Sequence, residues 1–233
     1  MQKKELDLKE SLRPGLDILA NEIVISLKKR SRYNQNLEIY KPGLVINRSD
    51  LSLLEYELAR VEQLHAELGR YTYANQEAFT NVSQVSLIIK RNPPESPIFN
   101  FSSQIGEVVI NFYIDWIKNS CKLGTDSDTF GETVTSDVIA LLNLLERINL
   151  GKYVAESKFQ ENKEAYRKTG GDKVQILALI ENLDREKGVL DMVSRLATLY
   201  EFNEDQARDV FQWIISETKK VEIEYIRRRI KVS

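Results

Sequence analysis

The stretch ERINLGKYVAESKFQ, Glu146 to Gln160, decides the fold because it predicts a long helix that carries Arg147 and Lys158 eleven residues apart. Eleven residues make three helical turns plus roughly 20°, so the two cations share a face about 16 Å apart along the axis. Gly151 and Ala155 lie between them and are expected to leave a low surface for a ligand. The spacing predicts one wall of a pocket for a small dianion, although an ordinary solvated face with two unrelated cations also fits it.

The overall composition indicates a soluble, globular protein with residues 1–233 in a single domain. The chain has 233 residues, of which 42% are apolar and 29% charged. Its 33 basic and 35 acidic residues give a net charge of −2, which argues against a nucleic-acid partner. The basic run RRRIK, residues 227–231, is expected at the end of a helix, where cations are favoured.

Cysteine and histidine are too scarce for several kinds of site. Cys121 is the single cysteine, so no internal disulfide can form, and His65 is the single histidine. No conventional zinc site and no Cys/His catalytic pair is therefore expected. The charged start MQKKELDLKE and the lack of any apolar run of membrane-spanning length predict a cytoplasmic protein without a membrane partner.

Apolar periodicity predicts an all-α fold, with few prolines and glycines to interrupt it. Ser49 or Asp50 is the expected cap of the second helix, and Asn203 that of the last. Loops are expected at residues 91–103 and 122–133. Helices of this length joined by short loops predict a bundle. The predicted helices cover approximately residues 11–32, 50–68, 108–116, 135–167, 174–183, 186–200 and 204–228.

Polar side chains interrupt several of the apolar stripes. Thr218 and Glu222 are four residues apart on the stripe of the last helix, where a carboxylate needs a partner or must be protonated. Asn182 and Glu186 repeat this spacing if the helix is continuous there, and Arg13 lies beside the apolar face of the first helix. Several helices that direct polar groups inward predict a shared polar cavity in the bundle.

These residues together resemble a known family, the all-helical chorismate mutases of fungi and plants. The resemblance is strongest in RINLGKYVAESKFQ (147–160), ETKKVEIEYIRRRI (217–230) and LKESLRPGLDILANEIV (8–24). It implies a multi-helix bundle with long first, central and C-terminal helices. It also implies an isomerase that rearranges chorismate to prephenate, the committed step toward phenylalanine and tyrosine, with no metal, cofactor or covalent intermediate.

The resemblance also implies roles for seven residues. Arg13 and Arg147 would bind the substrate carboxylates, while Lys158 and a protonated Glu222 would donate to the breaking ether oxygen. Glu186 would take the ring hydroxyl, and Asn182 and Thr218 would orient substrate groups. All seven positions carry the residue type that the family uses.

Regulation is where the chain departs from the family. Regulated members bind tyrosine or tryptophan at a dimer interface, through two adjacent arginines and a Gly-Ser dipeptide. The corresponding pairs here are Gly69 with Arg70 and Gly131 with Glu132. Any effector site would therefore centre on Arg70, Gly131 and Thr135, and Glu132 would disfavour an amino-acid carboxylate. Homodimerisation is likewise implied by the family.

Two other classes remain open from the sequence alone. The first is a helical binding module without chemistry, either an amino-acid sensor or a decayed mutase. It predicts loss of one or more charged pocket residues. The second takes residues 174–200 as part of a winged-helix nucleic-acid domain, which the near-neutral charge disfavours.

Overall fold

The computed structural model describes residues 8–92 and 95–232, and within them the fold is all-α, as predicted. A π-helical turn covers Leu8–Leu12, and 3-10 turns cover Leu37–Tyr40 and Ser127–Thr129. None of the helices in this part of the chain is long and apolar enough to span a membrane. The α-helices are α1 (Arg13–Arg30), α2 (Leu53–Glu67), α3 (Gly106–Ser120), α4 (Phe130–Asn149), α5 (Gly151–Glu161), α6 (Lys163–Lys168), α7 (Lys173–Ile180), α8 (Leu183–Leu199) and α9 (Glu204–Lys231).

The caps of the second and last helices were predicted with mixed success. The side chain of Asn203 accepts a hydrogen bond from the backbone of Gln206 and begins α9, as predicted. The predicted cap of α2 is wrong, because Ser52 takes this place. Its hydroxyl accepts from the backbone of Glu55, and the Glu55 carboxylate accepts from the backbone of Ser52, which is a complete capping box.

The long helix predicted over residues 135–167 is wrong, because this stretch contains most of α4 and all of α5 before reaching α6. The first interruption, at Leu150, is shallow, and the backbone of Leu150 still donates to Glu146 over 3.0 Å. The second is sharp. Asn162 has φ −146° and ψ 58°, and its side chain accepts from the backbone of Ala165 to begin α6. The predicted loop over 122–133 is correspondingly too long, since α4 begins at Phe130.

A further break separates α7 from α8. The side chain of Asn182 accepts from the backbone of Arg185 over 2.9 Å and caps α8. The helix is therefore not continuous at this point, so the condition for placing Asn182 and Glu186 four residues apart within one helix is not met. The predicted loop over residues 91–103 has no helix in its described residues.

The chain divides into two compact units, and α9 is the centre of the first. The described residues of unit 1 are 8–24, 95–103 and 146–232. In it α9 packs against α5, α7 and α8. The apolar stripe predicted for α9 is fully buried at Phe211, Ile214, Tyr225 and Ile226.

Unit 2 is organised around a buried ion pair. Its described residues are 25–92 and 104–145. The guanidinium of Arg30 donates to the carboxylate of Asp137 over 2.5 Å, and both side chains have no exposed surface. The hydroxyls of Tyr40 and Tyr113 each donate to the same carboxylate over 2.8 Å. Burial of these charges is thus compensated by hydrogen bonds.

Candidate active site

A cavity of about 150 Å³ lies within unit 1. The structure places all seven predicted site residues on its walls, although the role of each stays a prediction. The lining residues are Arg13, Leu16, Arg147, Val154, Lys158, Ile180, Asn182, Arg185, Glu186, Val189, Ile215, Thr218, Lys219 and Glu222.

Two guanidinium groups line the cavity without a carboxylate partner in the described part of the chain. Arg147 comes from the last turn of α4 and is 8% exposed. Its buried Nε has no hydrogen-bond partner among the described residues, and burial lowers the pKa of the side chain to about 10. Arg13 is the first residue of α1 and is half-buried. Arg147 remains protonated at neutral pH, so both groups can bind anions.

A lysine and a glutamate from different helices meet in the cavity. The ammonium of Lys158, on α5, donates to Glu222 Oε2 on α9 over 2.8 Å and to the backbone oxygen of Ile180 over 2.9 Å. Ile180 is the last residue of α7, whose free carbonyls attract cations. Burial raises the pKa of Glu222, and the nearby charge of Lys158 opposes that rise.

The wall between Arg147 and Lys158 differs from the expectation. Gly151 and Ala155 are buried and do not line the cavity, whereas Val154 does. Gly151 instead allows α5 to approach α9, because a Cβ atom there would lie 2.8 Å from Cγ2 of Thr218. The prediction that this glycine makes room for a ligand is therefore wrong.

Two smaller polar side chains complete the predicted set. Thr218 is buried, and its hydroxyl has no hydrogen-bond partner among the described residues. A buried hydroxyl without a partner costs free energy, so this one is available to a ligand. The side-chain oxygen of Asn182 is already used in capping α8, which leaves its amide N–H groups as donors.

Two lining cations were missed in the sequence. The ammonium of Lys219 donates to Glu181 over 2.8 Å and to Glu186 over 2.9 Å, so the predicted hydroxyl partner Glu186 already holds a cation. Arg185, in the first turn of α8, forms an ion pair with Asp17 of α1 over 3.3 Å. A usable signal existed for Lys219, since it lies three residues before Glu222 and therefore on the same side of α9.

Cationic side chains thus outnumber carboxylates in the lining of the cavity, and this favours an anionic ligand. Lys158 can direct positive charge to one atom of that ligand. Glu222 can donate a second hydrogen bond to the same atom when it is protonated. Such a site can stabilise charge that develops during a reaction without supplying a nucleophile.

A second cavity, of about 680 Å³, lies within unit 2. Gly131 and Thr135 of the predicted effector site line it, together with Glu132, Glu57 and Arg60. Arg70, the third predicted effector residue, is not among its lining residues. Within one chain, the structure therefore brings together only two of these three residues.

Comparison with known proteins gives consistent matches along the chain. The family described as chorismate mutase type II matches residues 133–223. A chorismate mutase of Schizosaccharomyces pombe is 28% identical over 243 residues, which cover 95% of this chain and 96% of that protein.

Solved structures extend the similarity to the fold. The Aro7p chorismate mutase of Candida albicans in complex with L-Trp superimposes with a TM-score of 0.90 at 27% identity, covering 98% of this chain and 95% of that one. AtCM1 with tyrosine bound in its allosteric site gives a TM-score of 0.86 at 27% identity, with coverage of 96% and 98%.

Proposed function

This chain belongs to the chorismate mutases, an all-helical family of isomerases, and we propose that it rearranges chorismate to prephenate in the cavity of unit 1. The observation that carries this proposal is the buried guanidinium of Arg147, whose Nε has no partner among the described residues of a cavity rich in cations. Chorismate is a small dicarboxylate, and prephenate feeds the synthesis of phenylalanine and tyrosine.

Binding would select the compact conformer of the substrate. Arg13 and Arg147 come from different helices, so their guanidinium groups can hold the two carboxylates in a fixed relation. Holding the reacting ends of one molecule together removes conformational freedom before the reaction begins. The hydroxyl of Thr218, which has no partner in the described part of the chain, and the amide of Asn182 would add orienting hydrogen bonds.

The chemical step would depend on Lys158 and Glu222. Negative charge develops on the ether oxygen as its bond to the ring breaks, and the ammonium of Lys158 can stabilise it. Glu222 can donate to the same oxygen only in its protonated form, which its burial favours. The ionised form would instead neutralise Lys158 across their 2.8 Å contact.

Glu186 would accept the hydrogen bond of the ring hydroxyl. Its contact with Lys219 positions this carboxylate, and Glu181 accepts a second hydrogen bond from the same ammonium. Lys219 would thus position Glu186, or share a substrate carboxylate with the arginines.

The test is the loss of chorismate absorbance with purified protein, followed by identification of prephenate. We expect acceleration over the spontaneous rate in the wild type. Chorismate that is bound without being consumed would support a helical binding module instead. The absence of both binding and turnover would contradict the proposal.

We further propose that residues 1–233 work as one cytoplasmic domain in a homodimer. The Schizosaccharomyces pombe protein aligns with nearly the whole chain, which supports one functional domain. Unit 2 exposes large apolar side chains at Leu64, Leu68, Ile88 and Ile139, which a second copy could cover. Sedimentation velocity would test the dimer, and a monomer at micromolar concentration would contradict it.

An amino-acid effector is a finer proposal. The Candida albicans and AtCM1 structures hold tryptophan and tyrosine respectively. We propose that tyrosine or tryptophan binds to this chain near Gly131 and Thr135. Binding would be weak, because exposed Glu132 repels the effector carboxylate. Calorimetric titration with each amino acid should show tighter binding to Glu132→Ser than to the wild type. Equal affinity would refute the role of Glu132.

A further inference from the structure

Arg185 is a cation of the cavity wall that the proposed chemistry does not use. It lies in the first turn of α8, lines the cavity and has a side chain 41% exposed. Its partner Asp17 is on α1 and has a side chain 45% exposed. The pair therefore lies where the cavity meets solvent.

The position of Arg185 is electrostatically unfavourable in two ways. The first turn of a helix carries partial positive charge, which disfavours a cation. Arg185 also repels Arg147. Burial lowers the pKa of Arg147 and the charge of Arg185 lowers it further, whereas the charge of Asp17 raises it. Asp17 thus offsets repulsion that Arg185 brings to the cavity.

The alternative acidic partners of Arg185 are close in sequence but are not used. Asp184 and Glu186 flank it in the same turn of α8. Glu186 holds Lys219, and in the described part of the chain the ion pair of Arg185 is with Asp17. This contact is 3.3 Å long and half-exposed, and ion pairs of this kind contribute little to stability. A ligand carboxylate can therefore replace Asp17 at little cost.

We propose that Arg185 recruits the dianionic substrate by exchanging Asp17 for a substrate carboxylate, and that Asp17 is a built-in competitor that limits affinity. The proposal deepens the proposed function and rests on it. An exchangeable ion pair differs from a purely structural one, because a structural ion pair is lost equally when either partner is removed. An exchangeable pair gives opposite effects, since removal of Asp17 frees the arginine.

The kinetic test compares Asp17→Asn, Arg185→Gln and the double variant with chorismate at pH 7.5. We expect Arg185→Gln to raise KM about fivefold or more, with a smaller effect on kcat. Asp17→Asn should lower KM about twofold to threefold. The double variant should lie close to Arg185→Gln, because without the arginine Asp17 no longer competes with the substrate for it. Arg185→Lys should recover part of the loss.

Salt dependence gives an independent readout. The KM of the wild type should rise with sodium chloride. The rise should be shallower for Arg185→Gln, because that variant has one fewer contact between a cation and a substrate carboxylate for salt to screen. If both single variants change KM in the same direction, or change only the melting temperature, the ion pair is purely structural and the proposal is overturned.

Binding of prephenate separates this proposal from the proposed function. Calorimetric titration should give weaker binding to Arg185→Gln and tighter binding to Asp17→Asn than to the wild type. If the three proteins bind prephenate in this order of affinity but the wild type does not convert chorismate, the role of Arg185 is supported and the proposed function is refuted. A wild type that does not bind prephenate would overturn both.

Discussion

The ammonium of Lys158 donates to the carboxylate of Glu222 over 2.8 Å, and the two residues, from α5 and α9, line the same cavity. Two donors to one substrate oxygen are needed for the proposed chemistry, but an ionised Glu222 can only accept. The proton on this carboxyl group therefore decides whether the pair acts as two donors or as an ion pair.

Glu222 should give the enzyme an acidic optimum. Burial raises its pKa, so the protonated form is present at low pH and is lost as pH rises through that raised pKa. The kcat of the wild type should fall over this range. Glu222→Gln is a permanent donor and should retain activity with a flatter profile of kcat against pH. An inactive Gln variant, or one with the profile of the wild type, would remove Glu222 from the mechanism.

Arg147 and Lys158 should each carry a large share of transition-state stabilisation. Replacing either with Ala should reduce kcat/KM at least about 150-fold, which corresponds to about 3 kcal/mol. Lys163→Ala is the control, because Lys163 is exposed and does not line the cavity. Steady-state kinetics would decide the matter. A loss below tenfold for Arg147→Ala would mean that another group holds its carboxylate.

Gly151 should be sensitive to a single added methyl group. A Cβ atom there lies 2.8 Å from Cγ2 of Thr218 and 3.7 Å from Cγ of Glu222, so Gly151→Ala should displace α9 and lower kcat/KM. Adding Thr218→Ser removes Cγ2, keeps the hydroxyl and should restore most of the loss.

The matched control for Gly151→Ala is Gly188→Ala in α8, where an added Cβ meets nothing within 4 Å. This change should stabilise the protein by about 0.5–1 kcal/mol through helix propensity. Kinetics and urea unfolding of all three variants provide the comparison. Full activity of Gly151→Ala alone would show that α9 adapts without cost.

The buried pair of unit 2 should dominate the stability of the protein. Asp137→Asn leaves the guanidinium of Arg30 buried without its counter-charge and should lower the free energy of unfolding by about 3–5 kcal/mol. Asp115→Asn also removes an ion pair, but its partner Lys118 is half-exposed, so the change should stay below about 1 kcal/mol. Similar losses in urea unfolding for the two variants would contradict the importance of burial.

The sequence predicted the helices, and the residues that share one cavity, better than it predicted the connections between helices. Arg147 and Lys158 line one cavity although their helix is interrupted at Leu150, because the interruption is shallow enough to keep the angular phase. The sharp end at Asn162 was not predicted, since asparagine also occurs within helices and its capping bond depends on local backbone angles.

The wall between the two cations shows which part of the pattern was informative. Val154 and Gly151 lie on either side of the direction shared by Arg147 and Lys158, each about 30° from it, so helical spacing alone does not separate them. The packing of Gly151 against Thr218 leaves Val154 to line the cavity. Gly151 was predicted to make room for a ligand because it is small, but its small size instead allows α5 to approach α9. Lys219 was missed for a related reason, because a lysine is ordinarily expected in solvent and only the fold brings Glu181 and Glu186 to it.

The carbonyl of Ile180 gives Lys158 a second anchor that does not titrate. The ammonium is held over 2.9 Å by this neutral end of α7 as well as by Glu222. When Glu222 takes up a proton, the attraction between the two side chains weakens, but the helix end keeps its partial negative charge at every pH. The site can therefore change its charge without changing the position of Lys158. Proton uptake by Glu222 then alters the hydrogen-bond donors of the site but not its geometry.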